Sequence, residues 1–154
     1  MQIEFNPGHS QTLENIGILK PGEHTISVKA LVQRTVAGDS AIIISVLDQQ
    51  VMHITQNFMF FDSKLERAKK QALTDQAAVD EARNSLLELA TKIASLSRNA
   101  EAMRSYVTAL YSIEGMTLTD KVKRRLGRIE NDSEFLLRES QNRQQTIQKH
   151  LGSL

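Results

Sequence analysis

Apolar residues recur at alternating spacings of three and four over residues 65–110. Thirteen of the fourteen a and d positions in this stretch are apolar, and Asp75 is the exception. A repeat of this length without glycine or proline predicts a coiled-coil helix. We place it at residues 63–113, because Ser63 and Glu66 form a capping-box pattern. Its predicted seam includes Leu86, Leu89, Ile93, Leu96, Met103, Val107 and Leu110.

A second helix is predicted at residues 119–151, after a tip at residues 114–118. Gly115 favours the end of the first helix, and Thr119 offers an N-cap for the second. So short a connection predicts two antiparallel neighbours, a coiled-coil hairpin. The weaker seam of the second helix contains Leu126, Ile129, Leu136 and Ile147.

The pattern before residue 62 favours β-structure. Apolar residues alternate with others over residues 26–33, and residues 41–47 form a nearly continuous β-branched run typical of a covered strand. Residues 51–60 are a further strand candidate, and the Pro-Gly pairs at residues 7–8 and 21–22 predict turns. The predicted fold class is therefore α+β. A small N-terminal antiparallel β domain, residues 1–61, precedes a long antiparallel two-helix coiled-coil hairpin, residues 62–154.

Composition narrows the functional classes. The 154 residues carry a net charge of +1, 5% aromatic residues and no cysteine. Disulfides and cysteine–zinc sites are excluded, and a large aromatic surface for stacking bases is not expected. The longest apolar run, residues 41–47, is too short to span a bilayer, so we expect no membrane insertion.

The sharpest local feature is a basic cluster at residues 121–128, which holds five cations in eight residues. With its apolar neighbours it predicts a partner-binding tip, whereas a solvated helix face is the competing interpretation. The predicted tip residues are Ile113, Met116, Leu118, Lys121, Val122, Lys123, Arg124, Arg125 and Arg128. Asp75 has two interpretations of its own: a polar device that sets the helix register, or a charge that is simply solvated.

No pattern typical of catalysis is found. The four histidines are far apart in sequence, and His9 and His24 are expected in exposed loops after the Pro-Gly pairs. The glycines form no phosphate-binding loop, and no nucleophile elbow is present. We therefore predict that the protein is not an enzyme and binds no metal or cofactor.

Residues 18–28, a Pro-Gly turn followed by an alternating strand pattern, resemble the C-terminal portion of the bacterial mucoidy-inhibitor-A-like proteins, which contains a domain of unknown function. In that family a short aliphatic β segment leads into a long helix and an antiparallel return helix. Residues 41–47, 63–113 and 119–151 would take those places here. The family's upstream β-rich region and further coiled coil have no counterpart in this chain. The resemblance implies an envelope-associated interaction protein and brings no catalytic residues.

These observations predict a non-enzymatic protein–protein interaction or scaffolding module that acts through its helical hairpin. The alternatives are a self-associating structural protein, such as a homodimer formed through the first seam, and a nucleic-acid-binding protein that uses the basic tip. A native N-terminus without a signal peptide would place the protein in the cytoplasm. A fragment of the suspected family would instead belong to the cell envelope or periplasm.

Overall fold

A computed structural model describes residues 1–37, 40–71, 75–114 and 117–154. The elements in chain order are β1 (Gln2–Glu4), α1 (Pro7–Asn15), β2 (Thr25–Ser27), α2 (Val28–Ala37), α3 (Ser40–Gln71), α4 (Gln76–Tyr111) and α5 (Asp120–Ser153). Long packed helices and a small two-stranded antiparallel sheet near the N-terminus thus make up the described chain, and the α+β expectation is confirmed at this level.

The chain divides into two compact units, each assembled from discontinuous segments. The first contains Met1–His53 and Asn99–Phe135, and the second contains Ile54–Arg98 and Leu136–Leu154. Helices α3, α4 and α5 each contribute residues to both units. Helix α3 also runs without a break across the boundary predicted between residues 61 and 62.

The prediction of a β-rich first domain is wrong for most of its strands. Residues 41–47 and 51–60 are helical and belong to α3. Their β-branched side chains favour strands, but from Ile44 to Ala68 the buried positions also follow the spacing of three and four that defines a helix face. The intrinsic preference is weak, and burial of that face overrides it.

The alternating stretch after Pro21 is a strand for only three residues. Strand β2 pairs with β1, and Ile3 lies opposite Ile26. Helix α2 then begins at Val28, where the Ser27 hydroxyl accepts a hydrogen bond of 3.1 Å from the Ala30 amide. Ser27 is therefore a helix N-cap, which the alternating pattern does not reveal.

The two Pro-Gly pairs have different roles. Pro7 lies in the first turn of α1, after Asn6, whose side chain caps the helix by accepting from the His9 amide at 2.9 Å. The turn predicted there is wrong, because a proline at the first helical position loses no hydrogen bond. The second pair does form a turn, in which Gly22 has a φ of +82° that other residues rarely adopt.

The single helix predicted over residues 63–113 is also wrong. Helix α3 ends at Gln71 and α4 begins at Gln76, and residues 72–74 lie outside the described part of the chain. Asp75 precedes α4 and its carboxylate accepts a hydrogen bond of 2.8 Å from the Ala78 amide. Asp75 is thus an exposed N-cap of a new helix, and this role explains the one charged position in the repeat.

The second predicted helix is confirmed. Helix α5 spans Asp120–Ser153, close to the predicted 119–151. The Thr119 hydroxyl accepts a hydrogen bond of 3.2 Å from the Val122 amide, and Asp120 places a negative charge in the first turn. Gly115, the predicted cap of the preceding helix, lies outside the described residues.

Two polar contacts tie the small elements of the first unit to α4. The Asn99 side chain, buried in α4, accepts a hydrogen bond of 2.7 Å from the Glu4 amide at the end of β1. The Tyr106 hydroxyl lies 2.8 Å from that of Thr35 in α2. The fully buried side chains of the first unit include Ile3, Leu13, Leu31, Ile43, Ile44, Leu47, Met103 and Leu110.

The second unit joins α3 to α5 through Arg143. Its guanidinium donates two hydrogen bonds of 2.8 Å to the Asp62 carboxylate and one of 3.0 Å to Glu139. It also lies over the Phe58 ring, 4.4 Å from the ring centre. Buried apolar side chains of the three helices, including Ile54, Phe61, Leu65, Leu86, Ile93 and Ile147, form the interior.

Candidate functional site

The predicted seam residues are part of the interior. Ten of the eleven are buried, and Leu96 is half-buried. Those in the first unit are Met103, Val107, Leu110, Leu126 and Ile129, and those in the second are Leu86, Leu89, Ile93, Leu136 and Ile147. These side chains therefore stabilise the fold and are not exposed to a partner.

The basic cluster at the start of α5 has four exposed members. Lys121, Lys123, Arg124 and Arg128, which we call the basic surface, all lie on the first three turns of the helix. None of them takes part in an ion pair within the described residues. Their charges are therefore available to an anionic partner.

Arg125, the fifth cation of the cluster, has a different role. It is half-buried, and its Nε lies 3.5 Å from Oδ2 of Asp48 in α3. Burial raises the pKa of nearby Asp132, the attraction of Arg128 opposes this rise, and repulsion from Asp48 adds to it. Arg125 thus belongs to a charged contact that holds α3 and α5 together in the first unit.

The apolar part of the predicted tip is only partly accessible. Ile113, Leu118 and Val122 are half-buried, and Met116 lies outside the described residues. The exposed Tyr111 at the end of α4 donates a hydrogen bond of 3.2 Å to the Lys123 carbonyl oxygen. Burial of the hydroxyl and, to a lesser extent, the charge of Glu130 raise the pKa of Tyr111. Sequence reasoning missed this contact between α4 and α5, although the tyrosine stands at the predicted helix end.

Three of the four histidines make side-chain contacts within the first unit. The His9 ring nitrogen Nδ1 lies 2.8 Å from Oε1 of the buried Gln50, and the rings of His9 and His53 are 6.3 Å apart. His24 Nδ1 lies 3.1 Å from the Ser10 hydroxyl. The expectation that His9 is an exposed loop residue is wrong, because it is half-buried in α1. Within the described ranges no three His, Cys, Asp or Glu side chains form a group that could hold a metal ion.

Two neighbouring apolar side chains of α3 are exposed in the second unit. Met59 and Phe60 are 71% and 66% exposed. The sequence pattern gave no reason to single them out while this segment was assigned to a strand. Two large apolar side chains are thus exposed at adjacent positions of one helix.

Comparisons with protein-family models, with curated proteins and with solved structures found no match to this chain. Among the described helices, none combines the length and the apolar character needed to cross a membrane.

Proposed function

We propose that the protein is a non-enzymatic protein–protein interaction module that binds an acidic protein segment through the basic surface. The observation that carries the proposal is the exposure of Lys121, Lys123, Arg124 and Arg128 while Arg125 is engaged by Asp48. Four cations on one capped helix segment attract carboxylates and speed their encounter with the surface.

The half-buried Ile113, Leu118 and Val122 support a protein partner. An interface commonly has an apolar centre and a polar rim, and these side chains lie in or next to the segment that carries the cations. A partner segment with alternating acidic and apolar residues would match both features.

We also propose that α4 and α5 form an antiparallel coiled-coil hairpin that presents this tip. In the first unit, Tyr111 contacts the Lys123 carbonyl. Arg104 and Thr108 of α4 line one surface groove together with Glu134 and Glu130 of α5. Both observations support an antiparallel register.

The test is a pull-down from nuclease-treated lysate with identification by mass spectrometry. The test variant is Lys121→Glu/Arg124→Glu/Arg128→Glu, and Arg125 is left unchanged because its reversal would place a carboxylate beside Asp48. The control variant is Lys29→Glu/Arg138→Glu/Lys149→Glu, which reverses three exposed cations elsewhere. Both variants have the same net charge, so a difference between them reports on the site.

A protein that the wild type and the control retain and the test variant loses would support the proposal. Equal retention by both variants would contradict it. Salt-sensitive binding to random-sequence DNA that only the test variant loses would favour the nucleic-acid alternative, because contacts to phosphates release counterions.

Self-association is the second candidate function, and the exposure of Met59 and Phe60 favours it. The expected result is a dimer in analytical ultracentrifugation that Met59→Glu/Phe60→Glu converts to a monomer. Leu87→Glu changes an exposed leucine elsewhere and is the control. A wild-type protein that remains monomeric at every concentration would contradict this candidate.

A further inference from the structure

An open groove runs between α3 and α4 in the second unit. It has a volume of about 300 Å³ and is lined by Lys64, Arg67, Ala68, Gln71, Ser85, Glu88, Leu89 and Lys92. We call it the α3–α4 groove. On each helix its residues are spaced by three, one and three, so each helix contributes one continuous face of two turns.

The groove has a small apolar floor. Ala68 and Leu89 are buried, and Ser85 is half-buried. Small side chains on a helix surface allow another helix to approach closely. Helix α5 contacts α3 through Phe58 and Asp62, which lie on a different face of α3, so α5 does not cover this groove.

The rim of the groove is positively charged. Lys64, Arg67 and Lys92 contribute three cations against the carboxylate of Glu88. A second carboxylate, that of Glu81, accepts a hydrogen bond from the lining residue Gln71 at the end of the groove. Within the described part of the chain none of the three cations forms an ion pair. Like charges that line one groove repel each other, and an anionic occupant would relieve this repulsion.

We propose that the α3–α4 groove binds an acidic amphipathic helix of a partner protein, which lies lengthwise between α3 and α4. Small apolar residues of that helix lie above the floor that Ala68 and Leu89 form, and its carboxylates face the three cations. This mode places an amphipathic helix in a groove and takes its specificity from charge complementarity.

The groove fits a helix better than a nucleic acid. Its floor is apolar and has no aromatic side chain on which a base could stack. Glu88 on the rim would also repel phosphates. The groove shares no residue with the basic surface, and this proposal does not depend on the function proposed for the basic surface.

The probe is a synthetic peptide of about 20 residues, long enough to form a helix by itself. It carries alanine and leucine on one face and glutamate beside them, and a second peptide has lysine in place of each glutamate. Binding to the full chain is measured by fluorescence anisotropy at low salt. The test variants are Lys64→Glu/Arg67→Glu/Lys92→Glu and, to fill the groove without a change of charge, Ser85→Phe. The controls are the Lys29/Arg138/Lys149 and Lys121/Arg124/Arg128 reversals.

The glutamate peptide is expected to bind saturably with a Kd below about 1 mM. Both groove variants should weaken binding by about tenfold or more, the two control variants should not, and the lysine peptide should not bind. The absence of saturable binding up to about 1 mM would overturn the proposal. Loss of binding in the Lys121/Arg124/Arg128 reversal with retention in the groove variants would also overturn it, since the peptide would then occupy the basic surface.

Discussion

Replacing Arg143 by methionine should destabilise the second unit measurably, because this side chain makes three kinds of contact at once. Its guanidinium binds the Asp62 carboxylate through two hydrogen bonds of 2.8 Å and pairs with Glu139 at 3.0 Å. It also stacks over Phe58. Methionine keeps an apolar stem that can pack on Phe58 and removes only the charge and its donors.

The expected loss of unfolding free energy can be estimated from the exposed fraction of each side chain in these contacts. The Arg143 side chain is 18% exposed and that of Asp62 is 52% exposed, so the freed carboxylate can be hydrated. The bidentate ion pair of Arg143 with Asp62 then contributes about 1 kcal/mol, which is less than a buried charge-assisted hydrogen bond. The pair with Glu139 adds about 0.3–0.5 kcal/mol and the cation–π contact about 0.5–1 kcal/mol. The free energy of unfolding should therefore fall by about 2 kcal/mol.

Urea unfolding followed by far-ultraviolet circular dichroism measures this loss. An unchanged m-value shows that the variant and the wild type expose the same amount of surface when they unfold. Arg143→Lys should recover only part of the stability, since an ammonium group cannot form the planar pair. A double-mutant cycle with Asp62→Asn should give a coupling of about 1 kcal/mol. The control is Arg138→Met on the exposed side of α5, which should change stability by less than about 0.5 kcal/mol. If Arg143→Met is no more destabilising than this control, the assignment of Arg143 as the link between α3 and α5 is wrong.

Three further predictions concern single side chains. Burial raises the pKa of Tyr106 to about 12, so the protonated side chain contributes fully to stability below pH 10, and this contribution should be lost as the pH rises toward 12. Tyr106→Phe removes the titrating group and should therefore unfold at higher pH than the wild type in an alkaline titration followed by circular dichroism. An unchanged midpoint would contradict this prediction. Asp75→Ala should lower the free energy of unfolding in urea by about 1 kcal/mol, because α4 loses its N-cap. Asp75→Asn keeps a capping oxygen and should be nearly neutral. Equal effects of the two substitutions would argue against capping. Asn99→Leu should leave the Glu4 amide without its acceptor and lower the free energy of unfolding by about 1–3 kcal/mol. Hydrogen-exchange NMR should then show faster exchange of the Glu4 amide, and an unchanged exchange rate would refute the contact.

The sequence predicted α5 and the end of α4 well because their signals are local. Thr119 and Asp120 lie next to each other and mark the helix start, and the apolar spacing after them is that of a single buried face. The start of a new helix at Gln76 was missed although Asp75 marks it. A charged residue at a seam position has the same spacing whether it lies within a helix or caps one, and only the Ala78 contact separates the two.

Helix α3 could not be assigned from its β-branched run alone. Residues 41–47 are apolar on nearly every position, and a short run of this kind does not distinguish a covered strand from a buried helix segment. The spacing of three and four does distinguish them. It runs from Ile44 to Phe61 inside the predicted β domain and continues to Ala68, so a window longer than the β-branched run was needed to recognise the helix face. The error hid both the partner of Arg125, which is Asp48 on α3, and the α3–α4 groove.

The helical state of α3 also changes what a self-association hypothesis requires. A two-helix hairpin would leave the apolar seam of its first helix under-covered, and a second copy would be needed to bury it. Helix α3 supplies apolar side chains such as Leu47 and Phe61 to the units in which the seam residues are buried. A dimer therefore has to use a surface outside the seam, and Met59 and Phe60 are large apolar side chains that α3 leaves exposed. Substitutions at this pair test self-association without disturbing the interior. Substitutions in the seam would unfold the chain, so a lost dimer could not be distinguished from a lost fold.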